Sequence, residues 1–110
     1  MHAARLRRGE DIARVRAEGV VRNDQLFSLR ALQTGQPTVR VAVMASRAVG
    51  GAVKRNRARR RVREALRIAL TARTHGAGAD LLVIVRPGSL DATPAAIRGA
   101  IERELGEVLR

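Results

Sequence analysis

Apolar residues recur along this chain at spacings that separate strands from helices. Residues 81–85 (LLVIV) are apolar at every position, the pattern of an interior strand covered on both faces. Residues 39–45 alternate, with Val39, Val41, Val43 and Ala45 on one side and Arg40, Ala42 and Met44 on the other, as in a half-buried strand. Residues 26–32 predict another strand, with Phe27, Leu29 and Ala31 on its apolar face and a mixed face of Leu26, Ser28, Arg30 and Leu32. Val20 and Val21 start an earlier, shorter strand.

The remaining apolar positions follow helical spacing. Residues 8–18 predict a short helix whose buried stripe is thin, Ile12 and Val15; Glu10 and Asp11 lie in its first turn and Gly19 stops it. Residues 52–71 predict a long helix after Gly50 and Gly51, with Ala58, Val62, Ala65, Leu66, Ala69 and Leu70 on one face. Residues 73–80 read as a loop. Thr93 and Pro94 form a cap-then-first-turn signature for a last helix that docks through Ile97, Ile101, Leu105 and Val108. The order αβββαβα, in a chain of 110 residues without an internal repeat, predicts a single α/β domain over residues 1–110: a small sheet packed with helices.

Charge changes this picture. The chain holds 21 arginines and one lysine, Lys54, against 10 acidic residues, a formal charge of +12. Residues 47–67 alone carry nine basic residues and only Glu64, two thirds of the net charge. Clustering of this kind points to a polyanion, nucleic acid first. The absence of cysteine excludes a disulfide scaffold, a thiolate metal site and a cysteine nucleophile. His2 and His75 read as solvated bystanders. The longest apolar run is far below a membrane span and the first residues lack a signal peptide's apolar core, so a cytoplasmic protein with no membrane partner is expected.

Within the long helix, Asn56, Arg60, Arg63 and Arg67 gather opposite the apolar face, with Arg57 and Arg61 along one edge and Arg59 along the other. Four like-charged pairs at i,i+4 (Arg55–Arg59, Arg57–Arg61, Arg59–Arg63 and Arg63–Arg67) together cost roughly 1–2 kcal/mol. A face kept only for solubility would mix signs, so this one is expected to contact phosphates. At the helix start, Lys54 and Arg55 stand beside orphan amides, an anion seat. Asn56 could bond a ribose, a base edge or the loop backbone. Charge does not separate RNA from DNA. The strand before the helix argues against a helix-turn-helix, and Phe27, the only aromatic residue, leaves recognition mostly electrostatic and shape-based. A ribosomal or assembly RNA-binding protein, or a DNA- or membrane-directed basic helix, are the competing readings.

The stretch from Ser46 to Leu70, with Arg55-Asn56-Arg57, then Arg59-Arg60, then Arg63-Glu64, resembles the protein component of bacterial ribonuclease P. The likeness extends upstream through LRRGEDIARVRAEG and downstream to DLLVIVRPG. It implies a two-layer α/β (α+β) sandwich similar to ribosomal S5 domain 2, with a mixed sheet and a left-handed βαβ crossover that breaks the usual right-handed rule. It further implies that Arg55, Asn56, Arg57, Arg59, Arg60 and Arg63, joined by Lys54 and Arg67, face the catalytic RNA. A separate groove between sheet and first helix would bind the 5′ leader of precursor tRNA, through Ile12, Arg16, Phe27 and Arg30. Many relatives carry aromatics at positions matching Ile12, Arg16 and Arg30, so the two arginines would hold leader phosphates where others stack bases. No pair of carboxylates with a general base is evident, so no catalytic residue is expected on the protein. By resemblance the RNA binds the required Mg²⁺ and cuts the substrate, while the protein assists as a noncatalytic subunit with no obligate protein partner.

Overall fold

The computed structural model of the chain describes residues 3–73 and 77–109; His2 and His75 lie outside them. In chain order the elements are β1 (Ala3–Arg5), α1 (Gly9–Glu18), β2 (Val20–Asn23), β3 (Phe27–Gln33), β4 (Val39–Ala45), α2 (Ala52–Ala72), β5 (Ala79–Val85) and α3 (Pro94–Val108). Short 3-10 turns at Arg47–Val49 and Pro87–Leu90 follow β4 and β5. The strands form one open sheet in the order β1-β4-β5-β3-β2. β1, β4 and β5 are parallel neighbours; β3 runs antiparallel to both β5 and β2.

The alternation on β3, β4 and β5 decides which helix covers which face. Phe27, Leu29 and Ala31, then Val39, Val41, Val43 and Ala45, then Ala79, Leu81, Val83 and Val85 all turn to the side covered by α2 and α3 and build the main core. There they meet Ala58, Val62, Ala65, Leu66, Ala69 and Leu70 of α2, all buried as the periodicity predicts, and Ile97, Ile101 and Leu105 of α3. The opposite face carries a smaller cluster, Leu6, Val15, Ala42 and Leu82, with Ile12, Leu32 and Ile84 packed against it. This face belongs to α1. The β5 run is therefore apolar throughout because it is central in the sheet and covered on both sides.

The structure differs from the sequence reading in three places. β1 precedes the expected αβββαβα series and lies at the sheet edge, paired through Ala3, Ala4 and Arg5 with Val39, Arg40 and Val41. Ala79 and Asp80 belong to β5, not to the preceding loop. Gly19 ends α1 in an extended conformation, φ −71° and ψ 152°, not in the left-handed one common after helices. Its lack of a side chain serves close packing: a Cβ there would stand 2.5 Å from the Val15 carbonyl oxygen and 3.2 Å from that of Ala31.

Polar groups pin these layers together. Asp80, 4% exposed on the α1 side of β5, accepts a two-pronged bond from Arg40, Nε to Oδ1 at 2.7 Å and Nη2 to Oδ2 at 2.6 Å. Arg40 also reaches Asp11 of α1 at 3.4 Å, so one guanidinium links two strands to the helix above them. The hydrogen bond from Arg40 to Asp80 raises the guanidinium's pKa above its ordinary value. On α3, buried Glu104 receives Arg22 of β2. Thr93 caps α3, its hydroxyl oxygen accepting from the Ala96 amide at 3.1 Å.

Two stability tests follow. Gly19→Ala should cost about 1–3 kcal/mol through backbone overlap, seen as a lower urea midpoint with an unchanged m-value; an unchanged midpoint would mean the end of α1 makes room for the methyl group at no cost. Arg40→Leu should cost about 1–3 kcal/mol, because it leaves the Asp80 carboxylate enclosed without its partner; Arg40→Leu with Asp80→Leu should recover part of that loss.

Candidate nucleic-acid interface

α2 is presented by a loop with no side chain closing the helix. Gly50 takes φ +129°, a conformation L side chains rarely adopt, and Gly51 is the N-cap residue without a side-chain cap bond. The first α-helical bond runs from the Arg55 amide to the Gly51 carbonyl at 2.9 Å. The amides of Ala52, Val53 and Lys54 thus lie ahead of the helical ladder, at the positive end of the macrodipole. Lys54 is exposed beside them and Arg55 is half-buried. These amides and cations are the groups from which the expected anion seat would be built.

Along the helix the arginines divide by what holds them. Arg57, Arg60 and Arg63 are exposed and Arg59 is half-buried; among the described residues none of these four pairs with a carboxylate. Arg59 donates to the side-chain oxygen of Asn56, a neutral partner that leaves its charge uncompensated. Arg67 is different: it grips Glu64 in two bonds, Nε to Oε2 at 3.1 Å and Nη2 to Oε1 at 2.6 Å. That hydrogen bond holds the Glu64 carboxyl below its ordinary pKa and raises that of Arg67. Arg61, an edge residue by periodicity, turns to the fold and donates to the carbonyls of Ser89 and Ala92. Burial, then the nearby charges of Arg5 and Arg59, lower the pKa of Arg63, although a guanidinium still stays protonated at physiological pH.

Arg5 of β1 is the contributor that periodicity missed. It lines an open groove of about 710 Å³ together with Arg59, Arg63, Glu64 and Arg67 of α2, Ile12 of α1 and the β4 segment from Val41 to Met44. No sequence signal marked it, because Ala3, Ala4 and Arg5 are all exposed and show no alternation.

The positions expected to bind a leader are not all together. Ile12 is half-buried on α1 and Arg16 is exposed on the same helix, its Nη2 3.8 Å from the Met44 sulfur of β4. Arg30 rises from β3 on the α1 face of the sheet, separated from β4 by β5. It is half-buried, and its Nε is enclosed without a hydrogen-bond partner. Phe27 must be removed from the set. It is 0% exposed and packs in the core under α2 and α3, on the opposite side of the sheet from α1. The alternation that pairs Phe27 with Leu29 and Ala31 accounts for this: a residue on the apolar face of β3 cannot also face α1.

Among the described residues no three His, Asp or Glu side chains are placed to hold a metal ion. Six of the ten carboxylates are held in ion pairs, Glu10 by Arg8, Asp80 and Asp11 by Arg40, Glu104 by Arg22, Glu64 by Arg67 and Asp24 by Arg103, and among the described residues the others are not gathered in threes. This donor set does not fit a tightly held Mg²⁺.

The arrangement is that of a known family. The ribonuclease P family model matches residues 1–109. The ribonuclease P protein component of Chloroflexus aurantiacus is 46% identical over 91 residues, 82% of this chain and 66% of that relative's own length. The one from Dehalococcoides mccartyi is 35% identical over 108 residues, covering 96% of this chain and 85% of the relative. The chain thus spans slightly less than two thirds of the Chloroflexus protein. In fold it is similar to the Staphylococcus aureus RNase P protein, with a TM-score of 0.77 at 22% identity, covering 99% of this chain and 100% of the other. The RNase P protein from Thermotoga maritima gives a TM-score of 0.74 at 24% identity, covering 90% and 96%. The sheet with its basic α2, the relatives and the family match over nearly every residue agree, and the chain belongs to the ribonuclease P protein family.

Proposed function

We propose that this chain is the protein subunit of a ribonuclease P ribonucleoprotein, assisting a catalytic RNA in removing the 5′ leader from precursor tRNA in the cytoplasm. The observation that carries this reading is the outer face of α2: Arg57, Arg59, Arg60 and Arg63 sit on a helix anchored by its other face and are compensated by no carboxylate among the described residues. With Lys54, Arg55, Asn56 and Arg67 they form the surface for the catalytic RNA. Each guanidinium offers a planar fork that matches two phosphate oxygens. Fixing such cations between two RNAs offsets their backbone repulsion and holds the substrate in register. Ile12, Arg16 and Arg30 are the residues assigned to the leader, Arg16 and Arg30 as phosphate contacts. Mg²⁺, bound mainly by the RNA, supplies the Lewis acid and activated water of phosphodiester hydrolysis; the protein's residues bind and position.

Reconstitution with a bacterial ribonuclease P RNA at low Mg²⁺ tests the whole reading. Added protein should raise cleavage of leader-bearing precursor tRNA, and a rate indifferent to protein at every Mg²⁺ concentration would reject it. Arg60→Ala with Arg63→Ala should weaken RNA binding and flatten the log–log salt dependence by roughly two units, about one for each phosphate no longer neutralised. An unaltered slope would remove both residues from the RNA surface.

A further inference from the structure

The groove between β1 and α2 brings together two features that the outer face of α2 does not supply by itself. The first is a trio of cations. Arg5 comes from the edge strand, Arg59 and Arg63 from the helix, and all three line one cleft. Of the carboxylates only Glu64 lines that cleft, and it is held by Arg67. The Arg63 guanidinium is already disfavoured by burial and by the charges of Arg5 and Arg59. Gathering like charges on two elements far apart in sequence works against folding, and an anion seated among them reverses the sign of that interaction.

The second feature is an open strand edge. The Leu6 amide donates to the Val41 carbonyl at 2.9 Å, whereas the Ser46 amide donates to Val85 of β5 at 3.0 Å. Odd-numbered residues of β4 therefore direct their main-chain groups towards β1, and even-numbered ones towards β5. β1 ends at Arg5, opposite Val41. Two residues further along, the N–H and C=O of Val43 point to the same side with no strand opposite, and Val43 lines the groove. An amide donor thus lies along the same cleft as three guanidiniums.

We infer that the cleft between β1 and α2 seats a phosphodiester of an RNA backbone, with Arg5, Arg59 and Arg63 as its cationic walls and the Val43 amide as its main-chain donor. This rests on the RNA-binding reading of α2 and extends it to the N-terminal strand, making Arg5 a binding residue. The phosphodiester belongs either to the catalytic RNA or to the precursor tRNA. An extended acidic peptide would also match an open edge flanked by cations. The cleft favours RNA because its donors are mostly side-chain forks suited to phosphate, and only one residue of free edge lines it.

The full chain carrying Arg5→Ala, Arg5→Gln or Arg5→Lys tests this, with urea midpoints establishing that each variant folds. Affinity is measured against salt, first for a bacterial ribonuclease P RNA alone and then, with the preformed ribonucleoprotein, for precursor tRNA with and without its leader. Arg5→Ala and Arg5→Gln should flatten the slope by about one unit in one of these arms, so that between ~50 mM and ~200 mM salt the variant loses about threefold less affinity than the parent. Arg5→Lys should keep the slope, since it keeps the charge. Hydrogen exchange at the Val43 amide should slow when that RNA binds. The arm that responds identifies the RNA that owns the phosphate. If Arg60→Ala flattens the slope but the Arg5 variants leave every arm unchanged, the seat is refuted while the α2 surface stands. If neither changes it, both fail. Protection of Val43 by a polyglutamate peptide but not by RNA would hand the edge to a protein partner and overturn the inference.

Discussion

The molecule depends on α2 being held from one side while its other side repels itself. Val62, Leu66 and Leu70 are buried among the strands and α3, and full burial of such side chains is worth roughly 1.5–3 kcal/mol each. The like-charged i,i+4 pairs cost roughly 1–2 kcal/mol in all, so packing wins by a clear margin. Ala58, Ala65 and Ala69 contribute in another way, keeping the buried face narrow and the helix close to the sheet. Because the core bears the repulsion, the folded chain holds these arginines together on one face of α2.

Arginine count by itself overstates that surface, because the fold uses the same side chain for three purposes. Some serve as internal props: Arg61 bonds the carbonyls of Ser89 and Ala92, and Arg86 bonds the Asp24 carbonyl and the Asn23 side chain. Others neutralise carboxylates, as Arg40, Arg22 and Arg103 do, and Arg67 neutralises Glu64 while staying exposed on the outer face of α2. Only the remainder face outward with charge to spare, and these concentrate on α2 and the adjoining β1 edge. A five-donor fork suits all three purposes, which is why only a structure can assign each arginine to one of them.

Local periodicity carried the reading wherever a side chain's fate is decided by its own element. The buried face of α2, the docking stripe of α3, the cap at Thr93 and the two-sided burial of β5 are all of that kind. It failed where a partner distant in sequence decides. β1 is three exposed residues whose strand character comes wholly from pairing with β4. At Gly19 a carbonyl of β3 adds a second, weaker overlap to the severe one with Val15 of its own helix. Arg61 is drawn inward by carbonyls about thirty residues away. Phe27 was a different error: its place on the apolar side of β3 was readable, and only the family likeness moved it to the leader groove.

Arg30 shows how the α1 face differs from the α2 face. On α2 the unpaired guanidiniums are mostly exposed, so water solvates them and the cost of waiting for RNA is small. Arg30 has an enclosed Nε with no acceptor, and a buried donor left unmade costs about 1–3 kcal/mol. A neutral, apolar residue at this position on β3 would avoid that cost. The residue as a whole is half exposed, so an anion approaching the sheet can meet its accessible part and relieve the unpaired charge. With the only aromatic side chain buried under α2, this face has charge and hydrogen bonding to offer a single strand, but no ring to stack on its bases. Binding there would follow the phosphate spacing of the strand more than its sequence, and salt would weaken it more than it weakens a stacked complex.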